Sequence, residues 1–404
     1  MRLGLIAGLV SAVLMGTGVQ AVRTARAGRT ARALSSVNER RRVLASDRLI
    51  RDQNISFYQA RIARDPGGAI DLVRAGALYL QRYRESGDEA DLVSAEAAAR
   101  RSLRNREDRN EAAWQLLQSA LMGQHRFVEA SMAAVRLLEC DPGNALFQAT
   151  LGESWLELGR YAGADSVFHR LRPRRYEPAV APRYARWLEL RGHAAEAREL
   201  LEVARDEAAR QDESADPQRI AWYELRLGEL ALRFGAHAEA RRRLQLGLEL
   251  VPDDWRLLAA RARLALAEGN LREAVEFGDA SLTRHLDPAT LAAVGDAWRG
   301  MGDSATAREY YRAMEASTQA PRGGFHRAWY LALLDHDLRV PEILAAVRRD
   351  LETRQDVYGY DLLAWALYKS GRVGEARMAV LRALAWGTED PELHRRAATI
   401  EAAR

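Results

Sequence analysis

Apolar and polar residues alternate along most of the chain with the period of an α-helix, and short turns divide the helices into pairs. In "QATLGESWLELGRYAGADSVFHRL", residues 148–171, an apolar helix ends near Gly159 and a second apolar stripe follows. Glycine suits such a turn because it readily adopts the left-handed conformation that ends helices. The pattern therefore predicts an all-α chain built from helical hairpins.

The hairpins form a repeat. Similar segments occupy 114–142, 224–252, 258–282, 291–314 and 360–384. A small alanine follows the turn at Ala130, Ala164, Ala197, Ala240, Ala274, Ala307 and Ala376. The spacing of these alanines is nearly constant through Ala307, apart from one longer interval between Ala197 and Ala240. Paired helices with a period of about 34 residues are typical of a solenoid, in which each hairpin packs on its neighbours. We count about nine hairpins.

The repeating unit resembles the tetratricopeptide repeat. Leu151 and Gly152 match the Leu-Gly pair of the first helix in that repeat, and Trp155 takes its aromatic place. Ala164 and Phe168 match the alanine and phenylalanine of the second helix. The resemblance implies an α-α superhelix whose first helices line the concave side.

Three longer stretches resemble a group of bacterial exported tetratricopeptide-repeat proteins. They are "FYQARIARDPGGAIDLVRAGALYLQRYRESGDEADLVSAEAAARRSL", "SALMGQHRFVEA" and "RQDVYGYDLLAWALYKSGRVGEA". This likeness covers nearly the whole chain after residue 21 and implies the architecture without supplying a reaction. The expected organisation is an export segment at 1–21, an arginine-rich helical arm at 22–64, the repeat array at 65–390 and a capping helix at 391–404.

Residues 1–21 have the features of an export segment. Arg2 precedes an uncharged run from Leu3 to Ala21, and Val19-Gln20-Ala21 resembles a cleavage site. A cleaved signal peptide would place the protein in the periplasm or outside the cell. The uncharged run is also just long enough to span a bilayer, so an uncleaved inner-membrane anchor is the alternative. The arginines that follow, at 23, 26, 29 and 32, favour retention on the cytoplasmic side.

Charge and composition narrow the classes of partner. The chain has 60 basic and 56 acidic residues, interleaved throughout, and a formal net charge of +4. A nucleic-acid-binding protein normally carries a basic face or stripe, so we expect no nucleic-acid partner. Short basic runs at 169–178 and 241–244 are typical of a solvated surface, with an acidic partner as the alternative. We expect the only cysteine, Cys140, to be half-buried within its helix.

Signatures of catalysis, metal binding and cofactor binding are missing. The sequence has no H-E-x-x-H, paired C-x-x-C, P-loop or G-x-S-x-G motif. His125, His193 and His237 lie in the turns of different repeats, without the ligand spacing of a metal site. The "DHD" at 335–337 favours a polar turn over a metal site. We therefore expect no enzyme activity, no cofactor and no metal.

Lys369 is the only lysine in the chain. A single lysine suggests a catalytic or cofactor-binding role, but no acid, base or phosphate loop accompanies it. In the repeat register it lies in the last turn of a first helix, where a cation interacts favourably with the helix dipole. We expect it at the rim of the concave groove, beside Trp365 and Tyr368.

By resemblance to the family, positions 2, 5, 9 and 12 of each repeat face the groove. The candidates for binding a peptide or partner protein are Arg186, Trp222, Arg226, Glu229, Arg256, Arg263, Arg299, Tyr358, Asp361, Trp365 and Tyr368. A few aromatic residues and arginines carry most of the binding energy in many interfaces. Some family members hold a C-terminal carboxylate with Lys and Asn in the groove, a pattern that this chain lacks.

The expected function is a non-catalytic scaffold for protein–protein interaction in the bacterial cell envelope. The alternatives are a ligand- or glycan-binding module and an accessory subunit of an envelope enzyme complex. For an enzyme we would expect convergent titratable residues, and for a ligand module a closed apolar pocket. The oligomeric state stays open.

Overall fold

The computed structural model describes residues 37–210, 216–318 and 327–403. The predicted export segment at 1–21 and the first part of the predicted arm lie outside the described residues. The chain divides into two compact units, Met1–Ile50 and Arg51–Arg404. The helical hairpins all belong to the second unit.

Helices and short turns make up the described residues. Residues 37–64 are helical and are named α1. The helices that follow are α2 (Ala69–Ser86), α3 (Glu89–Asn105), α4 (Glu111–Gly123), α5 (Phe127–Cys140), α6 (Ala145–Glu157), α7 (Tyr161–Leu171), α8 (Ala181–Leu190), α9 (Ala194–Arg210), α10 (Pro217–Arg233), α11 (His237–Leu250), α12 (Trp255–Ala267), α13 (Leu271–Leu282), α14 (Pro288–Gly300), α15 (Ser304–Ser317), α16 (Arg327–Asp335), α17 (Val340–Asp350), α18 (Val357–Lys369), α19 (Val373–Leu384) and α20 (Pro391–Ala402).

Helices α2 to α19 pair into nine hairpins within the described residues, and α20 follows as a single helix. The prediction of an all-α solenoid with about nine hairpins is confirmed. Cys140, which we expected to be half-buried, is exposed because it is the last residue of α5.

Left-handed residues end the first helices of the hairpins, as predicted. The glycines concerned are Gly159, Gly192, Gly235, Gly269, Gly302 and Gly371, with φ between 72° and 89°. In the irregular hairpin α16–α17, Asp337 and Arg339 adopt φ of 57° and 52° without a glycine. A left-handed conformation costs a non-glycine residue about 1–2 kcal/mol. The packing of this turn therefore has to offset a local strain, as does the turn between α4 and α5, where His125 adopts a φ of 57°.

The first helices form the inner side of the array. The first helices α10, α12, α14, α16 and α18 each pack on the next one in the series. A second helix, such as α11 or α13, packs instead between the first helix of its own hairpin and that of the next. Helices that contact each other side by side lie at the smaller radius of a curved array. The concave surface of Arg51–Arg404 is therefore built from first helices.

Successive turns of the superhelix touch edge to edge. The backbone N–H of Gln355 donates to the carbonyl oxygen of Leu158 at 3.3 Å, and that of Val357 donates to the hydroxyl of Tyr161 at 2.7 Å. The second pair is 196 positions apart in the sequence, which is close to the length of six repeats. We call this contact, between residues 157–161 and 354–357, the inter-turn seam. It joins the turn of the third hairpin to the start of the ninth.

Arg354 lies at the centre of the inter-turn seam. Its Nε donates to the backbone oxygen of Glu157 at 3.0 Å, and its guanidinium lies 4.9 Å from the centroid of the Phe127 ring. Burial lowers the pKa of Arg354, but Asp356 and Glu157 outweigh this effect and raise it. The cation therefore stays charged and ties two turns of the superhelix together.

Replacing Asp350 with asparagine should stabilise the protein at pH 8. Burial, with a contribution from Asp356, raises the pKa of the Asp350 carboxyl to about 6, and its Oδ2 has no hydrogen-bond partner in the described part of the chain. The folded state then binds this proton more tightly than the unfolded chain does, so wild-type Asp350 destabilises the protein above its unfolded-state pKa of about 4 and reaches its full cost above pH 6. We expect a gain in the free energy of unfolding of about 1–2 kcal/mol. This is smaller than the free energy that corresponds to a shift of two pKa units, because the side chain keeps some solvent contact.

The gain should be constant from pH 8 to about pH 6 and shrink as the pH falls from 6 towards 4, because ionisation of Asp350 in the unfolded wild-type chain then becomes less favourable. Urea unfolding at several pH values would measure it, with the exposed neighbour Glu352→Gln as the control. A gain that does not depend on pH would contradict the explanation.

Candidate binding surface on the first helices

Glu189 on α8 is the centre of a cluster of arginines. Arg226 Nη2 lies 3.1 Å from Glu189 Oε1, and Arg233 Nη1 lies 3.2 Å from Oε2; both arginines come from α10. Arg186, one helical turn before Glu189, lies 4.0 Å from it and 3.5 Å from Glu157 on α6. Burial raises the pKa of Glu189, but Arg226, Arg186 and Arg233 outweigh it and hold the pKa below its usual value. The carboxylate is therefore ionised, although only 3% of its side chain is exposed.

Glu229 continues the cluster along the array. It lies 3.1 Å from Arg226 on its own helix and 3.1 Å from Arg263 on α12. Burial raises the pKa of Glu229, but Arg263 and Arg226 outweigh it and lower the pKa overall. Alternating charges thus run across four consecutive first helices. We call this set the charge ladder: Glu157, Arg186, Glu189, Arg226, Glu229 and Arg263.

Tyr358 reaches the charge ladder from the next turn of the superhelix. Its ring centroid lies 5.1 Å from the Arg186 guanidinium and 4.4 Å from that of Arg327. Its hydroxyl donates to Asp390 Oδ2 at 3.3 Å. The side chain is buried. The structure thus brings Arg186 and Tyr358 together, but in a contact within the chain itself.

Asp361 is also buried, one turn further along α18. Arg396 of α20 donates to both of its carboxylate oxygens, at 3.0 and 2.7 Å, and Arg327 of α16 donates to Oδ2. Burial raises the pKa of Asp361, but Arg327 and Arg396 outweigh it and lower the pKa overall. This candidate residue anchors three helices to one another.

Trp365 and Tyr368 lie together at the end of α18, and both are partly exposed. Their rings stack with centroids 5.1 Å apart and an interplanar angle of 20°. The Lys369 ammonium lies 5.4 Å from the centroid of the Trp365 ring and 2.8 Å from Asp337 Oδ1. The only lysine is therefore an ion-pairing residue in the last turn of α18, beside the two aromatics.

Three further candidates make no ion pair with the charge ladder. Arg256 donates to both oxygens of Asp254, the N-cap residue of α12. Trp222 is partly buried against Tyr223, with ring centroids 5.0 Å apart. Arg299 is exposed and pairs with Asp296 on its own helix at 2.7 Å.

Several important residues escaped the sequence reasoning, notably Glu157, Arg233, Arg327, Arg354 and Arg396. A partial signal existed, because Arg226 and Arg233 flank Glu229 at helical spacing on α10. Arg354 and Arg396 act across the superhelix, which no local spacing indicates.

No group of three or more metal-ligating side chains occurs among the described residues. His125 lies in a turn and His237 is the first residue of α11. In the "DHD" turn, Asp335 accepts from Trp365 Nε1 at 2.8 Å and Asp337 pairs with Lys369. A membrane span is likewise not found among helices in this part of the chain, since none combines sufficient length and apolarity.

The fold is that of known solved structures. The chain is similar to the human IFIT1 dimer with PPP-AAAA, at 15% identity and a TM-score of 0.52, over 83% of this chain and 73% of that one. It is also similar to PilW, a type IV pilus biogenesis factor, at 19% identity and a TM-score of 0.43, over 52% of this chain and 94% of that one.

A third similar structure is the Cut9 assembly with Hcn1, at 14% identity and a TM-score of 0.47. The match covers 83% of this chain but only 56% of the matched chain in that assembly. A scan against protein-family models and a search of curated proteins both find no match. The hairpin architecture and the likeness to IFIT1 show the fold: an α-α solenoid of tetratricopeptide-repeat type.

Proposed function

We propose that the chain is a non-catalytic scaffold that binds a peptide or a partner protein on the concave surface of its first helices. The charge ladder carries this proposal. Ion pairs between its arginines and carboxylates hold these side chains in place. Most of the side chains are also partly exposed to solvent. A polar surface that is already ordered loses little side-chain entropy when it binds, which favours recognition of another chain.

The proposed contact surface is the exposed part of the candidate set. Arg263 and Arg299 offer charge, and the stacked Trp365 and Tyr368 offer aromatic area. Tyr358 and Asp361 are both buried, so they would pack beneath this surface and would not contact the partner. Arginine and aromatic side chains are the residues that most often dominate binding energy at interfaces.

The proposed location is the bacterial cell envelope. The support is the export character of residues 1–21. If this segment is cleaved, the protein is periplasmic or secreted. If it is not cleaved, it anchors the protein in the inner membrane.

Site-specific photo-crosslinking in the native host would test the proposal. A photoreactive benzoylphenylalanine would replace Arg263 or Arg299 on first helices, or, as a control, the exposed Met378 on the second helix α19. We expect protein crosslinks at 263 and 299 that are absent at 378. Equal crosslinking at all three positions, or none at the first two, would count against a concave binding surface.

A further inference from the structure

The inter-turn seam is one of three contacts of the same kind. Three left-handed glycines, each just after the end of a first helix, make these contacts: Gly87, Gly159 and Gly192. A Cβ on the first would come within 2.5 Å of the His285 ring, and a Cβ on the third within 2.7 Å of the carbonyl oxygen of Gly387. The second meets the backbone of Gln355. In each case the partner lies about six repeats further along the chain.

The partner of each glycine lies just before another helix of the inner side. His285 precedes α14, Gln355 precedes α18, and Gly387 precedes α20, which takes the place of a tenth first helix. The carboxyl end of one inner helix therefore meets the amino end of another, with α2 below α14, α6 below α18 and α8 below α20. The superhelix thus completes a turn after six hairpins, and its inner helices stack end to end.

Apolar side chains are buried where the turns meet. The ring centroids of Tyr161 and Trp386 lie 4.5 Å apart. Tyr161, Val357 and Leu393 are buried in one hydrophobic core that also includes residues of the third, fourth and fifth hairpins. Separating the turns would return this apolar surface to water, which is unfavourable. The turns therefore stay together, and the concave side is reached from the ends of the superhelix.

The width of the enclosed space follows from helix packing. Packed helices lie about 8–10 Å apart, and six axes in a ring lie about as far from its centre as from one another. We call the space inside α2, α4, α6, α8, α10 and α12 the bore. Since each helix with its side chains extends roughly 5–6 Å from its axis, the bore is on the order of 10 Å across or less.

Space inside the bore is open to solvent. The side chain of Arg263 is 45% exposed, and those of Glu229 and Arg226 are 26% and 23% exposed. A cavity of about 250 Å³ also adjoins Glu157, and Met122 is among its other lining residues. The side chains of the charge ladder therefore line the bore without filling it.

We infer that this bore accepts one extended, unfolded polypeptide segment and excludes folded domains. The spacings within and between β-sheets give an extended chain a cross-section of about 5 by 10 Å, which matches the bore. A folded domain of about 100 residues has a radius of gyration of about 13 Å and is too wide. This inference rests on the proposed scaffold function and specifies the form of the partner.

The chemistry of the charge ladder also suits an extended polypeptide. Such a segment has backbone N–H and C=O groups without partners of their own. Carboxylates such as Glu189 can accept from the N–H groups, and guanidinium groups such as Arg226 can donate to the carbonyl oxygens. The ladder has as many carboxylates as guanidinium groups, so it does not select the phosphate backbone of a nucleic acid.

Labelling of single cysteines with reagents of different size would test the inference in the full chain. In a Cys140→Ser background, Arg263→Cys places a thiol in the bore and Met378→Cys places one on the exposed face of α19. The reagents are N-ethylmaleimide, a maleimide on the end of an unstructured Gly-Ser peptide, and a maleimide attached directly to a small folded domain.

Each rate is divided by that of N-ethylmaleimide at the same position, which cancels differences in thiol reactivity. We expect the peptide reagent to label both positions at similar relative rates. The folded-domain reagent should label position 263 more slowly than position 378 by about tenfold or more, because a domain of that size cannot enter the bore.

Opening the turns should remove this difference. The double variant Gly87→Ala/Gly159→Ala adds a Cβ at two of the contacts between turns and should let the folded-domain reagent reach position 263. The matched control is Gly235→Ala/Gly269→Ala, which replaces two left-handed glycines whose Cβ would meet no atom within 4 Å. It should keep the slow rate. Circular dichroism would confirm that each variant is folded, and the rates in the parent background decide the question if one is not.

Three outcomes would overturn the inference. They are similar relative rates of the folded-domain reagent at positions 263 and 378, exclusion of the peptide reagent from position 263, and faster labelling there by a maleimide on a single-stranded oligonucleotide than by the peptide reagent. Free access of the folded domain together with photo-crosslinks at 263 would leave the scaffold function standing and remove only the closed bore. Loss of the crosslinks alone would remove the scaffold function.

Discussion

Replacing Gly159 with alanine is expected to destabilise the protein more than the same change at Gly235. Both glycines end a first helix with φ of 72°, so both substitutions carry the same left-handed penalty, about 1–2 kcal/mol. A Cβ at Gly235 meets no atom within 4 Å. A Cβ at Gly159 would overlap the backbone carbonyl of Gln355 and lie 2.8 Å from the backbone nitrogen of Asp356.

The difference between the two variants isolates the inter-turn seam, because the local backbone cost cancels. Backbone atoms cannot move aside as a flexible side chain does, so the seam must separate or the fold must strain. We expect an additional loss of about 1–3 kcal/mol for Gly159→Ala, which is the usual cost of overpacking. Urea unfolding would give the free energies.

Small-angle X-ray scattering would show whether the superhelical turns move apart. Gly159→Ala should increase the radius of gyration, whereas Gly235→Ala should leave it at the wild-type value. If both variants lose the same stability and keep the same radius, the turns of the superhelix are not in contact in solution.

The second large effect is expected at Asp361. Its side chain is 3% exposed and that of Arg396 is 4% exposed. Replacing Asp361 with asparagine removes the charge but keeps the shape, and leaves Arg396 and Arg327 without their shared carboxylate. Breaking a buried ion pair by removing one partner typically costs about 3–5 kcal/mol.

The matched control is Asp337→Asn, which removes an ion pair whose carboxylate is 72% exposed. Such surface pairs contribute about 0–1 kcal/mol. Both variants would be compared with the wild type by urea unfolding followed by circular dichroism. Similar losses for Asp361→Asn and Asp337→Asn would show that the α16–α18–α20 contact does not depend on the buried pair.

The Asp361 effect has a defined pH dependence. The pKa of this carboxyl is lowered in the folded state, so its contribution to stability is present above the ordinary carboxyl pKa of about 4. That contribution is lost as the pH falls through the lower pKa of the folded state. The difference between wild type and Asp361→Asn should therefore stay constant from pH 8 to pH 5 and decrease only in acid. Asp350→Asn should have the opposite sign, with a stability gain that grows between about pH 4 and pH 6 and is constant at higher pH.

The features that could be predicted from the sequence are those that depend on residues close together in the chain. The positions of the turns followed from Gly159, Gly235 and Gly371, because a helix ends where only a left-handed residue fits. The hairpin repeat followed from the spacing of small alanines such as Ala164, since a small residue is needed wherever two helices cross closely. Both signals lie within a single repeat or between one repeat and the next.

The candidate surface could be predicted only in part. Arg226 and Glu229 lie three residues apart on one helix, so their contact follows from helical geometry. Their link to Glu189 and Arg263 required the distances between neighbouring first helices. Tyr358 and Asp361 fall at groove positions in the repeat register, yet the structure buries both against arginines from other helices.

The sequence by itself determined the repeating hairpin, the ends of its helices and the side of each helix that packs. Only the tertiary structure decided that residues 157–161 meet residues 354–357 and that Arg186 meets Tyr358. The reason is cumulative: each repeat is rotated slightly relative to the last, and a small change in that rotation, summed over about six repeats, decides whether two turns touch. No local pattern of residues specifies that sum, whereas each hairpin is specified by contacts within itself and with its neighbours.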